Sequence, residues 1–394
     1  MKILFLLFFV SFAFGQFGAI PLSQTTTIYI HDVFLSIILV FWLFGLLRKK
    51  HNFVWPALTK SILCFASIGL ISLLVNSTRF SQIELLTSSL YLIRWIAYVA
   101  LYFIITISEL RPGFFVRGLY GAGLAIAILG HLQFFFYPDL RNLYYLGWDP
   151  HYQRLFSTLL DPNFSGLLFV LLFFHTSFVF SQKPNTLRFV CYAIIVSALL
   201  LTFSRSSYLA FGIALISLGV LLKKWKGVIL ILVFFIWTIV LLPKIGEGQN
   251  LIRKTSSFAR IENWKEGWQL FVRYPILGNG FNTLRYDRMT TDQYVLNGEI
   301  VTSRALSGLD NSMLFILATT GVMGFAAYAW IAKKMIILGG KLKKENHAIT
   351  SIYFSMLIAI FVHSLFTNSL FYPWVMIWLW IITGVVERKI RARK

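Results

Sequence analysis

The sequence predicts an all-α polytopic membrane protein of about 12 transmembrane helices, one transmembrane domain over 1–394 with one large outer loop. Three observations predict it. Of the 394 residues, 58% are hydrophobic and 13% charged, whereas soluble domains are nearer a quarter charged. Apolar runs of the length a bilayer core requires recur along the chain. Basic residues cluster in alternate connections between those runs.

Run length places the spans near 3–20, 28–47, 56–75, 85–108, 113–136, 164–181, 187–203, 206–222, 226–243, 310–332, 347–368 and 370–386. The first, "MKILFLLFFVSFAFGQ", also has the build of a secretory signal peptide. An uncleaved span is the favoured reading, because apolar character resumes at "FGAIPL". Net charge is +21, which in a soluble protein would point to nucleic acid. Here the basic residues read as topology signals instead, and no nucleic-acid partner is expected. "RKKH" (48–51), "RPGFFVR" (111–117), "QKPNTLR" (182–188), "KKWK" (223–226), "KKMIILGGKLKK" (333–344) and "ERKIRARK" (387–394), with Lys2 and Lys60, hold about 22 of the 36 basic residues. By the positive-inside rule that side is cytoplasmic, with both termini inside. Cys64 and Cys191 lie in apolar runs, which suggests neither a disulfide framework nor a zinc site, and no metal or other cofactor is expected.

The opposite side carries two loops, near 137–163 and 244–309. Its basic residues are mostly arginines: Arg79, Arg141, Arg154, Arg205, Arg253, Arg260, Arg273, Arg285, Arg288 and Arg304, against Lys244, Lys254 and Lys265. Arginine forks onto phosphate and carboxylate oxygens, so this surface points to an anionic ligand met at the outer face. The plainer alternative is loop charge paired with Glu247, Glu262, Glu266, Asp287, Asp292 and Glu299.

Ionisable residues inside spans are costly and mark partners or water-filled cavities. At about 1.5 Å per residue, Asp32, Arg94, His131, Arg205 and His363 fall toward the outer ends and only His175 toward the inner. A helix–helix hydrogen bond is the ordinary reading for each histidine. Arg205, in "LTFSRSSYLA" (201–210), sits on the tight turn between two spans, where it can grip a phosphate or simply cap carbonyls and snorkel.

In the large loop, Phe258, Ile261, Trp264, Trp268 and Phe271 recur at helical spacing between polar residues. This predicts an amphipathic helix near 258–274, stopping before Pro275. Trp264 and Trp268 suit a membrane interface or a sugar-stacking surface, and "GNG" (278–280) reads as a tight turn. Asp310 precedes the next span, as an N-cap or as a general base at a cavity mouth.

The segments "RLFSTLLDPNFSG" (154–166), "LTFSRSSYLA" (201–210), "ARIENWKEGWQLFVRYPILGNGF" (259–281) and "DNSMLFILATTGVMG" (310–324) resemble, in this order, the O-antigen ligase and O-antigen polymerase superfamily of bacterial inner-membrane proteins. "IYIHDVF" (28–34) and "YLIRWIAYV" (91–99) are looser likenesses. The resemblance implies a GT-C-like helical bundle and a metal-independent glycosyltransferase. Such an enzyme takes a glycan from an undecaprenyl-diphosphate carrier at the periplasmic face. Polymerases pass it to another lipid-linked repeat, ligases to the core sugar of lipid A. The implied partners are an undecaprenyl-diphosphate-linked oligosaccharide and membrane lipids, with a chain-length regulator as a candidate protein partner. By this likeness Arg205 and Arg260 contact the diphosphate. Asp310 and Glu262 or Glu266 are candidates for a base that takes the proton of the acceptor hydroxyl. Arg94, Arg154, Glu262, Trp264, Trp268 and Asn311 are candidate substrate-binding residues. Ligases carry a histidine directly before the asparagine that opens the span after the large loop. Here that position is Asp310, which favours a polymerase. No Asp-X-Asp triplet occurs, which weakens a nucleotide-sugar, metal-dependent alternative. A transporter of lipid-linked sugars would show repeated halves, and none is visible. A scaffolding protein would need neither Arg94 nor Arg205 at membrane depth.

Overall fold

A computed structural model describes residues 1–22, 26–48, 55–179, 186–242, 247–251, 255–291, 295–296, 299–300, 308–343 and 346–392. Its helices are α1 (Lys2–Ala13), α2 (Ile30–Arg48), α3 (Thr59–Val75), α4 (Gln82–Ile107), α5 (Pro112–Phe136), α6 (Pro162–Val179), α7 (Thr186–Leu201), α8 (Arg205–Leu222), α9 (Trp225–Leu241), α10 (Thr255–Arg273), α11 (Leu284–Thr291), α12 (Ser312–Lys343), α13 (His347–Ser364) and α14 (Pro373–Arg391). Two short antiparallel pairs, β1 (Ala19–Pro21) with β2 (Thr27–Tyr29) and β3 (Val295–Leu296) with β4 (Glu299–Ile300), complete it. By length and composition α2, α4, α5, α6, α8, α12 and α13 can each cross a membrane, and α1, α3, α7 and α9 are shorter apolar helices. The chain is an all-α, multi-pass membrane protein.

The helix starts follow ordinary capping chemistry. Ser81 and Glu84 form a reciprocal capping box at α4, and Asn346 accepts the Ile349 N–H at 2.9 Å to open α13. Pro112 and Pro373 occupy first-turn positions, where the missing N–H costs nothing. α14 is the axis of the bundle. Every residue from Trp374 to Glu387 is buried, Trp374, Trp378 and Trp380 among them, and it packs on α4, α5 and α12. Buried Glu387 accepts from the Ala57 N–H at 2.9 Å, the Arg391 guanidinium at 2.9 Å and the Tyr102 hydroxyl. Such pairing is what a buried carboxylate requires.

Two expectations are corrected. The first apolar stretch, 3–20, is not one helix. α1 stops after twelve residues, roughly 18 Å of rise, which falls short of a hydrocarbon core of about 30 Å. The chain turns at Gly15 (φ 58°), where a Cβ would lie 2.2 Å from the Thr158 carbonyl oxygen, and then enters the β1–β2 hairpin. The basic stretch 333–344 is not a connection either, because α12 stays helical through Lys343.

α12 is broken at Gly321 (φ 64°, ψ −168°), and the segment after α10 fills the break. Asn279 N–H donates to the Ala318 carbonyl at 2.9 Å and Val322 N–H to the Pro275 carbonyl at 2.8 Å. From α3, the Ser72 hydroxyl reaches the carbonyls of Leu277 (2.6 Å) and Thr319 (2.8 Å), and Asn76 donates to the Gly278 carbonyl at 3.1 Å. Irregular backbone inside a bundle survives only when its polar groups are paired in this way. The "GNG" stretch therefore does more than turn: Gly278 (φ 69°) and Gly280 (φ 117°) let the chain lie flat against the gap in α12.

Candidate functional site

Contacts between helix ends gather the site at one end of the bundle, and the 154–166 segment frames it. Asp161 caps α6, accepting from the N–H groups of Asn163 (2.6 Å) and Phe164 (3.1 Å). Asn163 in turn accepts the Ser204 hydroxyl at 3.0 Å, and Ser204 caps α8. Arg154 is 4% exposed. Its guanidinium donates to the carbonyls of Thr202 (2.9 Å) and Phe203 (3.4 Å), which the end of α7 leaves without helical partners. Arg154 thus holds the α7–α8 turn and does not line the cavity beside it.

That cavity has a volume of about 320 Å³ and is lined by Arg205, Ser206, Leu209, Arg260, Ile261, Trp264 and Phe366. Arg205 opens α8 and donates to the Leu251 carbonyl at 3.3 Å. Arg260, Ile261 and Trp264 come from α10, whose helical spacing turns all three to the cavity. α10 is pinned to the start of α12. Trp264 Nε1 donates to the Asp310 carbonyl at 3.0 Å, and Asp310 N–H donates to Asn263 Oδ1 at 2.7 Å. A Cβ on Gly267 would come within 2.6 Å of Leu309.

Of the two readings of Asp310, the cap is corrected. Asn311 caps α12, its Oδ1 accepting from the N–H groups of Met313 (2.8 Å) and Leu314 (3.1 Å). The Asp310 carboxylate is left half-exposed within electrostatic reach of Asp149. Asp149 stays accessible to water. The protein packed around it nevertheless pushes its carboxyl up to about 6, with the charges of Asp161 and Asp310 adding and Arg154 opposing. Burial also raises Asp161, against the two capping N–H groups and the charges of Arg154 and Arg260. A pair of arginines in the cavity and a set of carboxylates beside it therefore share one end of the bundle. Two arginines can hold an oxyanion, and a carboxylate with a raised pKa can exchange a proton.

The other candidate residues lie apart from the cavity. Arg94 pairs with Asp32 at 3.3 Å, donates to the Thr27 carbonyl and stacks on Tyr29 and Tyr91. Glu262 pairs with Lys265 at 2.7 Å on the exposed face of α10. Trp268 is exposed against Phe271, ring centroids 5.3 Å apart. His131 and His175 make helix–helix hydrogen bonds, to the Ser197 hydroxyl (2.8 Å) and the Val116 carbonyl (3.0 Å). Arg253, Lys254, Lys244, Asp292 and Arg304 lie outside the described residues.

Sequence reasoning missed Asp149 and the partners of His363. The imidazole of His363 sits behind the cavity wall, within 3.2 Å of both the Ser206 and Ser207 hydroxyls. Only the serines of "SRSS" and a histidine in the outer third of its span hinted at this.

No curated protein matches the chain. Residues 190–329, which carry Arg205, Arg260, Trp264 and Asp310, match the family model described as O-antigen ligase, and that match supports the resemblance to the O-antigen ligase and polymerase superfamily.

Proposed function

We propose that the chain is a polysaccharide polymerase, which transfers a glycan from an undecaprenyl-diphosphate carrier to another lipid-linked repeat unit at the periplasmic face of the inner membrane. The polysaccharide is an O-antigen or an exopolysaccharide. The observation that carries this reading is that Arg205 and Arg260, from different helices, line one cavity. In the transfer, the bond between the anomeric carbon and the phosphate oxygen breaks, and charge collects on the departing diphosphate. Two fixed guanidinium groups in a site of low polarity stabilise that charge without rearranging, with no need of a metal ion. Trp264, on the same wall, offers an indole face to the sugar. The acceptor hydroxyl bonds to the anomeric carbon and gives its proton to a carboxylate, for which Asp310, whose backbone carbonyl accepts the Trp264 indole N–H, is the candidate.

The carboxylate directly before Asn311, where the ligase pattern has a histidine, favours the polymerase. The basic connections then face the cytoplasm with both termini, and the cavity faces the periplasm. The test uses purified protein in liposomes with an undecaprenyl-diphosphate-linked repeat, products resolved by length, without metal or nucleotide. A ladder of repeat multiples is expected. Transfer only to an added lipid A–core acceptor would make the chain a ligase, and no transfer to either acceptor would overturn the enzyme reading.

A further inference from the structure

Ser206 lines the cavity, yet it is 3% exposed, and its hydroxyl lies within 3.2 Å of both Ser204 Oγ and His363 Nε2. His363 is fully buried between two pairs of hydroxyls. Nε2 faces Ser206 and Ser207, each at 3.2 Å, while Nδ1 faces Ser369 at 2.7 Å and Thr367 at 2.8 Å. A neutral imidazole has one N–H and one bare nitrogen, so the ring must donate to one pair and accept from the other.

The surrounding acceptors decide which. Ser207 Oγ lies 3.0 Å from the Asn163 carbonyl and 2.9 Å from Ser204 Oγ, whose own proton goes to Asn163 Oδ1, so both neighbours accept and the Ser207 proton goes to one of them. Ser207 therefore turns an oxygen lone pair toward Nε2, and Nε2 must carry the hydrogen. On the other side, the Ser369 and Thr367 hydroxyls lie 2.7 and 2.8 Å from Nδ1 and 2.9 Å from each other, so either can donate to the bare Nδ1. With Nε2–H pointing at the serine pair, Ser206 has no call to give its own proton to the ring. Ser204 Oγ, whose own proton goes to Asn163 Oδ1, accepts it across a long 3.2 Å contact, which an anion between Arg205 and Arg260 can replace as the stronger acceptor. The opposite tautomer would draw the Ser206 proton onto Nε2 and aim lone pairs at the bound anion.

We propose that Ser206 is a third hydrogen-bond donor to the diphosphate held by Arg205 and Arg260, and that His363 is the positioning residue that turns the Ser206 hydroxyl into the cavity. The inference rests on reading that cavity as a diphosphate site. Ser206 also lies in the first turn of α8, where unpaired N–H groups favour an anion.

The experiment measures the affinity of the full chain in nanodiscs for sugar-free undecaprenyl diphosphate. Arg205→Gln tests the cavity itself and should lose binding; wild-type affinity in that variant would overturn both the cavity reading and this inference. Ser206→Ala should bind about tenfold more weakly, the loss of one hydrogen bond to a charged group. Ser206→Thr, which keeps the hydroxyl, should recover most of the affinity. His363→Gln should weaken binding as much as Ser206→Ala, and the double variant no more than either single one. Nitrogen-15 spectra of the wild-type protein with undecaprenyl diphosphate bound should show His363 protonated at Nε2. Full affinity in Ser206→Ala alongside lost binding in Arg205→Gln would overturn the role of Ser206 and leave the cavity reading standing. A bound state protonated at Nδ1 would do the same.

Discussion

Trp264 of α10 donates its indole N–H to the backbone carbonyl of Asp310, 3.0 Å away, and so joins the cavity wall to the residue just before the α12 cap. The bond fixes the roll of α10 and with it the direction of Arg260, one helical turn earlier. Trp264→Phe should cost about 1 kcal/mol of stability, the ordinary value of a lost hydrogen bond. Turnover should fall further than that, because Arg260 loses its orientation and the sugar loses the indole. Thermal unfolding and initial rates on the same preparation check it; equal, small losses in both would make Trp264 only a strut.

The break in α12 makes a stability prediction. A Cβ at Gly321 would lie 2.2 Å from the Ile276 carbonyl oxygen, at a φ of 64°. Gly321→Ala should therefore destabilise by about 2 kcal/mol or more through backbone strain and the clash together. Gly340 has open space around its Cβ position, so Gly340→Ala in the same helix should be harmless or mildly stabilising. Thermal unfolding in detergent distinguishes the two.

Asp310 and Asn311 separate cleanly. Asn311→Ala removes the α12 cap and should lower stability by about 1 kcal/mol. Asp310→Asn leaves that cap in place, so the melting temperature should hold while turnover falls. Full turnover in Asp310→Asn would remove it as the base.

Asp149 makes a prediction about pH. Its carboxyl is pushed up to about 6 in the folded protein, whereas an unfolded aspartate titrates near pH ~4. Between those values the folded state holds the extra proton, so this group's contribution to stability falls as pH rises through the window and stays low above it. Asp149→Asn removes the effect. The variant should gain stability relative to wild type at pH 7.5 and show little gain at pH 4. A gain that is the same at both pH values would mean that Asp149 is ordinary in the folded state.

Much of the architecture is legible in the sequence because a bilayer sets one strong length requirement on apolar runs. Each of the twelve expected stretches overlaps one helix from α1–α9 or α12–α14, though α12 runs well past its expected end. What was not legible depends on contacts distant in sequence. α1 ends early because Gly15 passes against Thr158, and α12 breaks because Ile276 passes against Gly321. A one-residue choice of cap, Asn311 rather than Asp310, is made by Asn263 holding the Asp310 N–H. In the site, Arg205 and Arg260 were found from residue chemistry and resemblance. His363 and Ser206 could not be paired, because residues 157 apart in sequence carry no local signal of meeting.

The central claim is that guanidinium groups from α8 and α10 act on one diphosphate in one cavity. The most direct measurement is turnover of the lipid-linked repeat by Arg205→Lys, Arg260→Lys and the double variant, each at matched protein level. Lysine keeps the charge and loses the fork. Each single change should lower turnover roughly a hundredfold, and the double change little further, as for groups that act as a unit. Losses that multiply in the double variant, or wild-type turnover in either single one, would contradict the account.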